Sequence, residues 1–187
     1  MLKSNLSPHF LFNSLSALQP LIREKPDVAN EYVIHLSSLL RYALQKNEDK
    51  FIRLSEEMML TRSFIFLLEM RYGQNLIIES QPPEREKNWR ILPFTVQQLI
   101  ENAVKHNEIS EKNPLRIKIE IDPSGWLIIS NNIREKITRE SSLGSGLANL
   151  SRRYKLITGK EVQVSNADRQ FRVTIPLTYF DDEGSDN

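Results

Sequence analysis

The sequence predicts an α+β fold: a helical first third followed by an α/β layer on an antiparallel-type sheet. Three observations carry this. Apolar residues recur at helical spacing over roughly residues 1–73. After Arg71-Tyr72-Gly73 the pattern changes, and Leu115–Asp122 alternates Leu/Ile with Arg/Lys/Glu, the signature of a half-buried strand. Between the strands lies Pro93–Asn107, PFTVQQLIENAVKHN, an amphipathic stretch suited to covering one sheet face.

In chain order, Ser7-Pro8 has the form of an N-cap plus first helical residue. Leu11, Leu15, Leu18 and Ile22 follow as the apolar stripe of the first helix, with Pro20 placed to bend or end it. Leu2–Ser7 is able to extend the helix backwards. After a break at Lys25-Pro26-Asp27, a second helix is expected over about Val28–Gln45, with Tyr32, Leu36, Leu39, Leu40 and Ala43 on one side. Lys46–Lys50 reads as a polar turn. Ser55 reads as the cap of a third helix, with Glu56 and Glu57 in its first turn where carboxylates suit the helix dipole. That helix is apolar around most of its circumference, which predicts burial on several sides.

Leu76–Glu79 has strand character, and Gln81–Trp89 is a polar connection. Leu115–Asp122 turns through Pro123-Ser124-Gly125 into Trp126–Ser130. Asn131–Ser145 is polar and reads as a mobile loop. Gly146–Ile157 is helical, and Glu161–Ser165 with Phe171–Leu177 forms a second hairpin around Asn166–Arg169. Asp181–Asn187 is an acidic tail expected to be disordered. The domains are therefore 1–73, 74–180 and the tail 181–187.

Composition limits the function. The chain has 187 residues, 40% hydrophobic and 26% charged, a globular composition. Its net charge of +1 gives no field for steering nucleic acid or an anionic membrane. The absence of cysteine excludes disulfides, thiol catalysis and cysteine metal sites. No apolar run approaches a membrane span. A motif almost at residue 1 reads as part of a longer protein.

Three constellations carry chemistry. His9 and Asn13 lie at i and i+4, nearly opposite the leucine stripe, where a neutral imidazole nitrogen would be accessible near neutral pH. In the Pro93 helix, Val96, Leu99, Ile100 and Ala103 share one side, and Gln98, Glu101, Asn102 and Lys105 the other. Asparagine is a poor residue for mid-helix, so Asn102 points to a role for its amide. Its oxygen is a hard ligand for Mg²⁺, and Lys105 can balance phosphate charge. Glu101 is either a proton acceptor or a surface carboxylate. Third, Gly144-Ser145-Gly146-Leu147-Ala148-Asn149 opens a helix whose free N–H groups suit phosphate. His35 borders the apolar face of the second helix and is assigned no function.

In this order, Ser-Pro-His-Phe-Leu-Phe-Asn (residues 7–13), QQLIENAVKH (97–106) and GSGLANL (144–150) resemble the LytS-type sensor histidine kinases, with LLRY (39–42) and EMRY (69–72) between them. The resemblance runs from about Leu2 to Leu177. It implies a homodimeric helical phosphoacceptor region followed by a GHKL-type α/β sandwich with a mixed, largely antiparallel sheet. It implies ATP and Mg²⁺ as cofactors and a response-regulator receiver domain as partner; the balanced charge, without a basic stripe interleaved with aromatics, speaks against nucleic acid. It also implies attachment to the bacterial cytoplasmic membrane only through an upstream segment. By the same resemblance His9 is the phosphorylated histidine and Asn13 its partner one turn on. Asn102 is the Mg²⁺-holding asparagine, with Lys105 and His106 beside it. Gly144 and Gly146, followed by Leu147, end an ATP lid formed by Asn131–Ser145.

Two departures stand out. The family's adenine-binding aspartate is replaced by Asn131, and Ile133 stands where a glycine is expected. An asparagine carbonyl can accept the same hydrogen bond, but without charge assistance. Phe10 rather than an acid follows His9, which leaves Glu101 as candidate base. The leading reading is an ATP-dependent protein-histidine kinase. The alternative is a dimeric signalling scaffold with a degraded nucleotide pocket.

Overall fold

The computed structural model describes residues 8–45, 51–80, 88–134 and 145–180. The backward extension through Ser7, the Lys46–Lys50 turn, the connection to Lys87, the loop from 135 to 144 and the acidic tail lie outside the described residues.

The chain opens with α1 (Pro8–Glu24) and α2 (Pro26–Gln45). Pro20 sits inside α1 without ending it. Lys25 alone separates the helices, and α2 starts at Pro26 rather than Val28, since proline suits a first helical position. The predicted stripe of α1 needs correction. Leu11 and Leu18 are part-buried against the core as expected, but Leu15 and Ile22 are 57% and 58% exposed, and the covered side also runs through buried Phe10 and Ser14 and part-buried Ala17 and Leu21. That set also follows helical spacing, because α1 packs through it on α2 and α3.

After β1 (Ile52–Arg53) comes α3 (Leu54–Tyr72). Ser55 is not its cap: the helix starts one residue earlier, after Arg53, with no side-chain cap bond. The expectation of burial on several sides holds, since α3 packs against α1, α2, α4 (Thr95–His106) and three strands, β1, β2 (Leu76–Ser80) and β3 (Trp89–Ile91). The remaining elements are β4 (Leu115–Ile121), β5 (Trp126–Asn132), α5 (Ser145–Thr158), β6 (Gln163–Ala167), β7 (Gln170–Pro176) and β8 (Thr178–Tyr179).

A five-stranded sheet has the order β2-β4-β5-β7-β6. Only β2–β4 is parallel, so the sheet is mixed and largely antiparallel as expected. Leu115, Ile117 and Ile119 of β4 share a face with Leu127, Ile129 and Asn131 of β5 and with Val173 and Ile175 of β7. This face is buried, and α4 packs on it. The β6–β7 turn places Asp168 and Arg169 at φ 54° and 58°, the left-handed pair of a two-residue hairpin.

A second sheet, β1-β3-β8, is absent from the sequence reading. Its strands are two or three residues long, too short to show alternation. Trp89 of β3 lies over Gly125 in the β4–β5 turn, where φ is +81° and a Cβ would run into the indole ring. Gly125→Ala is therefore expected to destabilise the fold by roughly 3 kcal/mol, combining backbone strain with overpacking. The check is a fall in the urea midpoint at unchanged slope.

Candidate functional site

The QQLIENAVKH and GSGLANL motifs meet where α4 faces the start of α5. Val96, Leu99, Ile100, Ala103 and Val104 are buried, whereas Gln98, Glu101 and Asn102 are half-buried and Lys105 and His106 exposed. The predicted wet face is thus half covered. Gly146 lies so close to it that an added Cβ would be 3.3 Å from Asn102 Oδ1 and 3.5 Å from Gln98 Nε2. Gln98 Nε2 donates to the Gly146 carbonyl at 3.1 Å. Glycine thus lets α5 approach the Asn102 amide without the shift of a few tenths of an ångström that a Cβ would require, whereas Gln98 would be in ordinary contact with it. The first turn of α5, with N–H groups that lack intrahelical partners, lies beside Asn102. Leu147 is half-buried next to Gly146. Gly144 and the His9 side chain lie outside the described residues.

Asn131 belongs to β5, not to a loop. It is 6% exposed on the sheet face that α4 covers, and its Nδ2 donates to the Asn132 carbonyl at 2.8 Å. That leaves the amide oxygen to act as acceptor. The strand outruns Ser130 because Asn132 ties its end to the start of β4, accepting from Arg116 N at 2.7 Å and donating to Pro114 O at 3.0 Å. Beyond it, Ile133 N donates to Arg169 O at 2.9 Å, and Arg134 N donates to Asn107 Oδ1 at 2.7 Å. Residues 131–134 are therefore fastened, against the expectation of a mobile loop starting at Asn131. Asn107 is itself buried and donates from Nδ2 to Ala103 O, closing the end of α4.

Among the described residues no group of three or more His, Cys, Asp or Glu side chains could hold a metal. A divalent cation here would rest on the Asn102 amide oxygen together with oxygens of a bound phosphate. The half-buried, hard oxygen beside glycine backbone is compatible with that arrangement.

At the other end, Asn13 of α1 lines a small crevice with Ser14, Tyr32, Leu67 and Arg71, among others. The side opposite the predicted stripe therefore faces α2 and α3 at Asn13, rather than open solvent. Tyr32 is bonded to Ser14, and burial pushes its hydroxyl above the usual range. Asn13 is thus set among α1–α3, and Asn102 where α4 meets α5. His35 Nδ1 lies at hydrogen-bond distance, 3.0 Å, from Ser63 Oγ, and its ring packs on Phe66.

The sequence reading missed Glu57. It is no solvated first-turn carboxylate but a fully buried one, accepting from Phe94 N at 3.0 Å and Val96 N at 2.9 Å. Burial pushes its carboxyl up to about 7, opposed by those two bonds and by Arg153, and abetted by Glu56. Periodicity offered no signal, since Glu57 obeys the same first-turn preference as an exposed glutamate. Pro93 precedes α4 rather than opening it, because Phe94 takes the N-cap position in a left-handed conformation (φ 65°).

Residues 1–76 match the family model for histidine kinase. The sensor histidine kinase/phosphatase LytS of Staphylococcus aureus strain MRSA252 is 29% identical over 195 residues, covering 96% of this chain and 32% of the relative. The same protein from strain Mu50 / ATCC 700699 gives the same figures. This chain thus spans about a third of the curated relatives it matches, at 32%. Among solved structures, the histidine kinase AdeS of Acinetobacter baumannii aligns with 90% of this chain and 97% of its own, at 16% identity and TM-score 0.44. The cytoplasmic segment of histidine kinase QseC covers 82% and 93% at 15% identity and TM-score 0.46. The sequence likeness spans 96% of this chain, which is thus similar to the sensor histidine kinase/phosphatase LytS and, over residues 1–76, to the histidine kinase family model.

Proposed function

We propose that the chain is the kinase portion of a bacterial two-component sensor, using ATP to phosphorylate His9 and passing the phosphoryl group to a response-regulator aspartate. The observation that carries this reading is the approach of Gly146 to Asn102 and Gln98. It puts a mid-helix amide and the first turn of α5 at one place, the chemistry a polyphosphate requires. On this reading residues 1–73 form the phosphoacceptor and dimerisation region and 74–180 the ATP-binding domain.

Asn102 would hold Mg²⁺, with Lys105 and His106 flanking the phosphates. Gly144, Gly146 and Leu147 would form the backbone cradle, and the Asn131 carbonyl would accept from the adenine amino group. Bound Mg²⁺ would neutralise phosphate charge. Asn13 would orient the His9 ring from one turn away. A ring nitrogen of His9 attacks the γ-phosphorus, so that the N–P bond forms as the bond to ADP breaks, and Glu101 is the candidate acceptor of the ring proton. Positioning and electrostatics dominate such transfers, which fits a site made of amides, backbone and one lysine.

The chain would work as a homodimer. Phe12, Leu15 and Ile22 are 71%, 57% and 58% exposed along one side of α1, and Val33 and Ile34 are exposed on α2. Apolar side chains grouped in this way call for a second surface. Leu15→Arg with Ile22→Arg is expected to convert a dimer to a monomer with little loss of helicity, read by sedimentation and circular dichroism. A wild type that sediments as a monomer would contradict the dimer. Among the described residues no helix is long and apolar enough to cross a membrane. We place the chain on the cytoplasmic side, tethered by an upstream segment.

Asn131 keeps a second reading in view, a dimeric scaffold whose pocket no longer holds nucleotide. Heating with and without Mg·ATP separates the two. A kinase domain gains about 2.7 kcal/mol at a hundredfold excess over Kd, and a dead pocket gains nothing.

A further inference from the structure

The start of α4 is gripped by both parts of the molecule. From α3, the Glu57 carboxylate spans two N–H groups, Phe94 through Oε2 and Val96 through Oε1. From α2, the Tyr42 ring packs on the Phe94 ring at 5.1 Å between centroids. From α5, Arg153 Nη2 donates to Pro93 O at 2.9 Å, and Tyr154 OH meets Leu92 N and Thr95 Oγ1 at 3.4 and 3.2 Å. The five residues from Leu92 to Val96 thus take hydrogen bonds or ring contacts from three helices. The first helix turn has N–H groups with no partners of their own, and a carboxyl group from another element supplies two acceptor oxygens for them.

The same place carries two local costs. Phe94 is held at φ 65°, a conformation that a bulky residue avoids. Gln97 is 3% exposed, with neither amide atom hydrogen-bonded. Such costs persist only where the surroundings impose the geometry, and here the surroundings are Glu57, Tyr42 and the α5 pair.

We propose that Glu57 is a positioning residue: by holding Phe94 and Val96 it sets α4, and so Asn102, relative to the helices that carry the phosphoacceptor. The proposal rests on the kinase reading. Arg153 and Tyr154 hold the same segment from within the ATP-binding part. Loss of Glu57 therefore loosens the link between parts and leaves the pocket between α4 and α5 assembled. Transfer to His9 depends on that link; nucleotide binding does not.

The test compares wild type, Glu57→Gln and Tyr42→Leu at a temperature where circular dichroism shows all three folded. Three quantities are read: amide exchange over residues 94–98, affinity for Mg·ATP, and the labelling rate at saturating Mg·ATP. Glu57→Gln offers one acceptor oxygen in place of two. Exchange should rise about tenfold or more. The labelling rate should fall about tenfold or more, with affinity kept within about threefold. Tyr42→Leu, which removes the ring contact on Phe94 and leaves the Glu57 side chain in place, should shift the same readings in the same direction and provides the comparison if Glu57→Gln does not fold. Exchange unchanged from wild type overturns the proposal. So does a rate that is unaltered, or that falls only in step with affinity, as a purely structural role would give. Absence of label in wild type contradicts the kinase reading itself and takes the positioning role with it. Label in wild type with an unaltered variant rate contradicts the positioning role alone.

Discussion

Asn102→Ala is expected to abolish the thermal protection that Mg·ATP gives the wild-type protein. A hundredfold excess of ligand over Kd stabilises wild type by about 2.7 kcal/mol, which raises the melting temperature by roughly 8 °C for a chain of this size. In the variant the rise should be under about 2 °C. The amide oxygen is lost, and the first turn of α5 is left with phosphate charge that nothing on α4 helps to neutralise. The nucleotide-free protein should melt at the same temperature or slightly higher. Asn102 is half-buried, and alanine is the better helix former by roughly 0.5 kcal/mol. This separates binding from folding within one pair of scans. Full protection of the variant would put the nucleotide somewhere other than beside Gly146.

Glu57 should give stability a pH dependence opposite in sign to that of a paired surface carboxylate. Its carboxyl is raised from the ordinary 4.5 to about 7 by burial. A raised acid binds its proton more tightly folded than unfolded, so the folded state is favoured while the proton is on. The contribution is fully present below about pH 4.5, is lost as pH rises toward 7, and is flat beyond. The difference amounts to about 3 kcal/mol. Glu57→Gln cannot ionise and should flatten this slope. Exposed Glu108 and Glu161, held low by their hydrogen-bond partners, contribute with the opposite sign. They are common to both proteins and cancel in the difference. The measurement is urea unfolding of both from pH 4.5 to 8. Parallel curves would contradict burial of an ionisable Glu57.

Much of the architecture was legible because long periodic segments state their own geometry. The helices α1 to α3, the amphipathic α4 and both hairpins of the main sheet follow from spacing and turn residues. What spacing cannot state is which neighbour covers an apolar face. Of the regular stripe Leu11, Leu15, Leu18 and Ile22, Leu11 and Leu18 pack on the core but Leu15 and Ile22 stand exposed, because α1 is turned toward Phe10, Ser14 and Ala17. The strands β1, β3 and β8 are pairings of two or three residues, created by tertiary proximity rather than local pattern. Asn131 read as loop because its polar run looks like one. In the fold, side-chain amides extend the strand by bonding to backbone. Glu57 was the costliest miss: a first-turn glutamate looks the same whether it serves its own helix or the start of another.

Of the candidate site, the Asn102–Gly146 approach was the legible part. A mid-helix asparagine and a glycine at a helix start are each weakly informative, and they gain meaning by facing one another. Gln98 entered the sequence reading only as a polar-face residue. Its bond to the Gly146 carbonyl joins residues 48 apart and depends on how their two helices are packed.

The central claim is tested most directly by incubating the protein with γ-labelled ATP and Mg²⁺, alongside His9→Gln and Asn102→Ala. The account predicts acid-labile, base-stable label on wild type and none on either variant. Label that survives His9→Gln, or a wild type that binds Mg·ATP and takes up no label, would contradict it.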